Sequence, residues 1–292
     1  MEAVKLTEPG QRQAVPPKFK AGERQLLTGA TPGAIAPNII VAVRDPLGFE
    51  DDAATVIAQR LDEVELVANT GMFITYTGEF AGVPVTVIST GSGGPEIEIA
   101  VVELAGAVKE PAFVRVGTSG SAHPRVAVGD LVISTAAVRS EGTSRQYIDL
   151  EYPAVASYEL VTALADAAQE RHNRFHLGIT RSTDSIYCGQ GRDANGYVSP
   201  DQGDLVEKWT NAHVLNYERE TATLLTIAAL LGCRAASVCS VVNSAITHEL
   251  RPQAGVEDAT AVALNAFRLL QTRDNIKART NQATWVPAMG LE

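Results

Sequence analysis

Three observations predict an α/β fold, a three-layer α/β/α domain with a central mixed sheet. Short apolar, β-branched runs alternate with segments of helical period along most of the 292 residues, and the runs end in glycine-rich turns. A hydrophobic content of 45% supplies the core that one large α/β domain needs. Residues 1–37, rich in Pro, Gly, Gln and charge, read as an N-terminal arm, residues 38–278 as the domain, and residues 279–292 as a tail.

The first strand is "NIIVAV", Asn38 to Val43, followed by the polar turn "RDPLG" and a helix through "EDDAATVIAQRL". "YTGEFAGVPVTVIST" turns at Ala81-Gly82 and predicts a hairpin. A helical period in "IEIAVVELAGAV" follows "TGSGGPE", then come strands "AFVRVGTSG" and "DLVISTAAV" and a helix "SYELVTALADAAQER". Strands also fit "FHLGITRSTDSIY" and "RAASVCSVVNS", with helices at Glu220 to Leu231 and from Val256 to Ala278. "LNYERETATLL", Leu215 to Leu225, reads as the opening of a buried helix whose first turn carries Glu218, Arg219 and Glu220. The helix dipole alone favours acids there.

Lys plus Arg number 24 against 34 Asp plus Glu, and the net charge of -10 argues against a nucleic-acid backbone as partner. Three cysteines without metal-type spacing point to a reducing compartment and imply no disulfide framework. His172, His176, His213 and His248 form no metal-like spacing, so no metal or cofactor is expected. No run of about 18 uncharged apolar residues would span a bilayer, and the N-terminus has no signal-type apolar stretch, so a cytoplasmic protein is expected.

In open α/β sheets, ligands sit where strands end and loops turn toward helices. Five such loops are "VRDPLG", "STGSGGP", "VRVGTSGSAHP", "YCGQGRD" and "VLNYERETA". Singly, each serves turn geometry equally well. Together they offer backbone amides with Arg115, Thr118, Gln190, Arg192, Glu218 and Glu220, a set suited to a polar ligand carrying acidic and hydroxyl groups.

The order and content of these loops resemble the nucleoside phosphorylase superfamily, and within it the uridine phosphorylases. "STGSGGPEIEIAVVELA" is similar to the Gly-Gly-Pro loop and helix of that family, "VRVGTSG" to its phosphate segment, and "LNYERETATLL" to its ribose segment. The resemblance implies phosphate-driven cleavage of a pyrimidine nucleoside in a homodimer or homohexamer. By the same resemblance Glu220 is the acid that binds the ribose hydroxyls, Glu218 is its companion, and Gln190 with Arg192 is the pair that reads uracil. Such residues suit their tasks. A carboxylate accepts strongly from two hydroxyls and favours positive charge on the sugar, while an amide and a guanidinium meet a base that leaves as an anion. Arg219 stands where the family places Met, either as a solvated residue pairing locally or as a new ligand contact.

The phosphate segment departs from the pattern. Arg115 and Thr118 match, but Gly48 and Gly71 fall where the family has arginines, and Arg44 appears where a glycine amide is expected. Losing two charge-assisted hydrogen bonds costs roughly 3 to 6 kcal/mol of phosphate binding. Three readings follow: a uridine phosphorylase-type enzyme whose rebuilt phosphate site uses Arg44, Arg115 and Thr118; a hydrolase in which Glu50, or secondarily Asp51, activates water; or a nucleoside-binding protein without chemistry. In the second, acids at residues 50 and 51 also suit a helix start with no catalytic part. His123 follows the phosphate segment, and no histidine precedes it to serve the ribose 5′ position as the family's lead-in does.

Overall fold

Strand β1 (Asn38–Val43) is buried at every position, as expected of an apolar run without alternation. It pairs in parallel with β4 (Val83–Thr90) on one side and β5 (Ala112–Ser121) on the other. A computed structural model describes residues 24–200 and 203–290 of the chain. Around β1 it builds a mixed sheet of ten strands among the described residues. The hairpin turning at Ala81-Gly82 extends it through β3 (Ile74–Phe80) to β2 (Asp62–Asn69), both antiparallel to their neighbours. On the far side, β10 (Arg234–Ser244) runs parallel to β5 and antiparallel to β6 (Leu131–Ser140). β8 (Phe175–Thr183) pairs with β6, and β9 (Val214–Glu218) bridges β8 and β5. The short β7 (Ala154–Val155) adds to β6.

Helices form the outer layers. α2 (Gly94–Ala107) packs with α5 (Thr221–Leu230), and α3 (Tyr158–Glu170) with α6 (Val256–Thr280). The short α1 (Ala53–Ala58) covers β3 and β4, and α4 (Leu205–Asn211) lies beside β9. α5 is buried over most of its length, because it is apolar on every side and is wedged between α2 and the sheet.

Four local expectations change. "LNYE" is strand β9, not the first turn of a helix; its residues bury against β5 and β8, and the helix starts only at Thr221. The predicted helix over residues 50–61 shrinks to α1, whose cap is Asp52 accepting from the Thr55 amide. The strand "FHLGITRSTDSIY" ends at Thr183, freeing Asp184 onward as a loop. β2 has no counterpart in the sequence reading, because "DEVELVAN" is an edge strand with charge on its open side.

The arm assigned to residues 1–37 lies outside the described residues as far as residue 23. From Arg24 the chain runs against α2, where the Glu103 carboxylate accepts from the Leu27 and Thr28 amides and the Thr28 hydroxyl. In the segment assigned as the tail, Trp285 is buried, stacked 4.0 Å from the Arg273 guanidinium. No helix among the described residues is long and apolar enough to cross a membrane.

Candidate active site

The C-terminal ends of β1, β5 and β9, the residues following β8, and β10 converge on a cavity of about 340 Å³. Arg44, Arg115, Thr118, Gln190, Arg192, Glu218, Arg219 and Glu220 all line it. Glu50 does not. It is exposed beside a separate cavity lined by Gln59, Arg60 and Gln253, and Asp51 lies there too. The acids expected to activate water are therefore apart from the cavity that gathers the other expected site residues.

At the floor, one buried guanidinium sits between two buried carboxylates. Arg115 Nη2 makes a short ion pair with Glu220 and lies 3.4 Å from Glu218, while Nη1 donates to Cys239 Sγ at 2.7 Å. Burial opposes the charge on Arg115, but Cys239, Glu220 and Glu218 together raise its pKa. Its Nε has no hydrogen-bond partner among the described residues. The side chain folds back over Gly117, where a Cβ would come within 2.8 Å of Nη1, so only glycine leaves room for it.

The two acids differ in their second partners. Glu218 Oε2 accepts from the Glu220 and Thr221 amides, each at 2.8 Å, and Oε1 accepts from the Ser182 hydroxyl, so this carboxylate caps α5. Burial raises the Glu218 pKa, against the lowering effect of Arg115. Glu220 instead turns toward the glycine loop after β4, accepting from the Gly93 amide at 2.6 Å and Ser92 Oγ at 3.3 Å. The bland account, acids favouring a helix start, therefore describes Glu218, whereas Glu220 faces the cavity.

Beside Arg115, the Thr118 hydroxyl donates to Asp45, so the two are already bonded to each other. Arg44 lines the cavity but its guanidinium donates to the backbone carbonyls of Gly71 and Met72. At Gly48 a Cβ would lie 2.9 Å from Thr118 Cγ2, so a side chain there would enter this space; Gly71 has φ +81° and only open space around its Cβ position. In this region the Arg115 guanidinium is already shared by two carboxylates, that of Arg44 is engaged by backbone carbonyls, and Asp45 adds a third carboxylate.

At the opposite end, Gln190 sits on a short 3-10 turn, Cys188–Gln190, closed by Gly191 with φ 75°. The Gln190 side chain is buried and Arg192 is exposed at the rim. Tyr217 reaches the same cavity from β9 with a buried hydroxyl that lacks a hydrogen-bond partner among the described residues, and burial pushes its pKa up to about 12. Behind it Arg181 stacks on Trp209 at 4.9 Å and Tyr217 at 5.7 Å, and donates to the Gly189 carbonyl, bracing the turn that carries Gln190. Arg219 crosses the rim, donating to Ser92 Oγ at 2.8 Å and the Asp184 carbonyl at 2.9 Å. It thus pairs with neither adjacent acid.

His123 does not line the cavity; it is buried 6.1 Å from the His213 ring. Sequence reading missed Tyr217, Cys239 and Asn243 as cavity neighbours. Only Tyr217 carried a signal, as the residue inside the "LNYERE" segment. Among the described residues, no group of three or more His, Cys, Asp or Glu could hold a metal ion.

A family model described as the Phosphorylase superfamily matches residues 38–272. The chain is 41% identical to a uridine phosphorylase of Thermococcus kodakarensis over 280 residues, 93% of this chain and 98% of that protein. It is 39% identical to a uridine phosphorylase of Haemophilus influenzae, over 73% of this chain and 87% of the relative. A guanosine phosphorylase of Halorubrum lacusprofundi is 33% identical, over 73% of this chain and 88% of its own length.

Proposed function

Since this chain belongs to the phosphorylase superfamily, we propose that it cleaves the N-glycosidic bond of uridine or a similar nucleoside with phosphate, releasing the base and ribose 1-phosphate. The relatives named uridine phosphorylase support this pentosyltransferase activity. The observation that carries the reading is one cavity lined at one end by Glu220 and Arg115 and at the other by Gln190 and Arg192.

In this reading Glu220 accepts hydrogen bonds from the ribose hydroxyls and favours the positive charge that builds on the sugar as the bond breaks. Glu218 holds the β9–α5 turn that aims Glu220. Gln190 pairs with the N–H and carbonyl of the base, and Arg192 stabilises the departing anion. Arg115 and Thr118 take phosphate. Arg44 joins them only by leaving the Gly71 and Met72 carbonyls, and Arg219 ties the sugar-side loop to the base-side loop.

The crowding of acids around Arg115 favours a second reading, attack by water. Incubating uridine with the full chain, with and without phosphate, and separating uracil, ribose and ribose 1-phosphate distinguishes the two. Uracil release that depends on phosphate and yields ribose 1-phosphate supports phosphorolysis; equal release with free ribose supports hydrolysis and overturns the first reading.

The same proposal extends to assembly and location. Val64, Leu66 and Met72 are exposed on or beside edge strand β2, an apolar face that suits a second copy of the chain in a homodimer or homohexamer. Three free cysteines suit a reducing cytoplasm.

A further inference from the structure

The parallel register of β5 and β10 sets Ser237 beside Arg115 and Cys239 beside Gly117. Residues two apart on a strand share a face, so these four positions look the same way, toward the start of α5. Because Gly117 has no side chain, the Arg115 guanidinium lies over it and meets the neighbouring strand, Nη1 donating to Cys239 Sγ at 2.7 Å. The contact continues behind the sulfur. Ser237 Oγ lies 3.5 Å from Sγ and accepts from Thr221 Oγ1 at 3.0 Å, while the Thr221 amide donates to Glu218, which faces Arg115. Arg115, Cys239, Ser237, Thr221 and Glu218 thus close a polar ring, and every member is buried. Cys239 does not line the cavity, so it reaches a ligand through Arg115.

The donors of this guanidinium differ in what they meet. Nη2 faces the Glu220 and Glu218 carboxylates, Nη1 meets sulfur, and Nε, although buried, has no hydrogen-bond partner among the described residues. Burial pushes the Cys239 pKa up, which keeps the group a neutral thiol and a weak acceptor. A third carboxylate at that place would add to the two that already neutralise Arg115. A hydrocarbon would strand Nη1 as an unpaired buried donor, which is costly. The thiol satisfies the donor and adds no negative charge. We propose that Cys239 is a positioning residue, holding Arg115 at Nη1 as the pivot on which the guanidinium passes from Glu220 to phosphate. The inference rests on the reading that phosphate is the nucleophile and Arg115 its ligand. When a ribose hydroxyl bonds Glu220 and loosens Nη2, the sulfur keeps Nη1 in place, and Nη2 with the free Nε is presented to the phosphate oxygens. The sulfur stays a thiol throughout.

The test measures initial rates of the full chain with uridine and phosphate varied independently, for the unchanged protein, Cys239→Ser and Cys239→Ala, with the melting temperature of each taken alongside. Serine keeps a neutral acceptor at the position and alanine removes it. Cys239→Ala should raise the KM for phosphate about tenfold or more, as losing a hydrogen bond to a charged group does, while the KM for uridine changes by less than about threefold. Cys239→Ser should keep the KM for phosphate within about threefold of the unchanged protein. Should Cys239→Ala fail to fold, Cys239→Val, which fills the space and likewise offers no acceptor, is compared with Cys239→Ser in the same way. A KM for phosphate that stays within about threefold in the apolar variant overturns the inference and spares the proposed function. So does equal impairment of the serine and apolar variants, or an equal rise in both KM values, since packing alone would act that way. If the unchanged protein releases no uracil in response to phosphate, both proposals fall.

Discussion

Glu220 has both oxygens engaged, one by the Gly93 amide and one by Arg115, so a ribose hydroxyl must take the place of an existing donor. If it displaces Arg115, the guanidinium becomes available to phosphate only after the nucleoside has bound. Calorimetry should therefore find phosphate binding at least about tenfold tighter when an uncleavable uridine analogue is present, a coupling of about 1.4 kcal/mol; equal affinity in both conditions would count against this displacement. Glu220→Gln should lower kcat/KM about a hundredfold or more, as loss of a transition-state charge partner does, whereas Arg219→Met should cost less than about tenfold, because among the described residues Arg219 bonds to Ser92 and a backbone carbonyl alone. Gly117→Ala should reduce activity as severely as Glu220→Gln, since the new methyl occupies the Arg115 guanidinium's place. That Glu220, Arg115, Gln190 and Arg192 would meet at one cavity was legible in the sequence because several short motifs occur in order. The engagement of Arg44 was not: an arginine beside a strand end gives no sign that backbone carbonyls on another turn will claim it.

At the scale of elements, β9 and α5 meet at the turn that sets the site, and the sequence misled on where one ends. The spacing of two between Leu215 and Tyr217 is that of a strand, but the acids at residues 218 and 220 suit a helix start, and pairing with β5 and β8 decides for the strand. β1, β10 and the hairpin were legible to within a residue or so, since buried parallel strands are unbroken apolar runs with sharp polar ends. The α3–α6 pair is tied by Glu159, which accepts from Lys277 at 2.8 Å and from the Trp285 amide at 3.0 Å, and faces Arg234. Burial alone would raise the Glu159 pKa, but these partners hold it below its ordinary value near 4.5. A carboxylate depressed on folding contributes stability that is full above that ordinary value and fades as pH falls through the folded one. The melting temperature should therefore drop on acidification below about pH 4.5. Glu159→Gln should cost about 2 kcal/mol at neutral pH, less than a fully buried pair because Arg234 reaches solvent, and should flatten the acid limb. An unchanged acid limb in the variant would remove Glu159 as its source.

For the whole molecule, a net charge of -10 and a site whose one buried guanidinium serves two acids set the same problem at two scales: a dianion must approach an acidic protein. Screening shortens that repulsion, so the KM for phosphate should fall as ionic strength rises from about 0.01 M to 0.15 M, where the Debye length shrinks from about 30 Å to 8 Å. The three-layer architecture was legible from alternation alone, whereas a second cavity behind Gln190 was not, because it forms between α4 and the end of β10, segments far apart in the chain. The central claim, phosphate attack on a nucleoside held between Glu220 and the Gln190–Arg192 pair, is tested most directly by running uridine cleavage with ordinary phosphate in heavy-oxygen water. The account predicts unlabelled ribose 1-phosphate formed mole for mole with uracil; free ribose carrying heavy oxygen at C1 would contradict it.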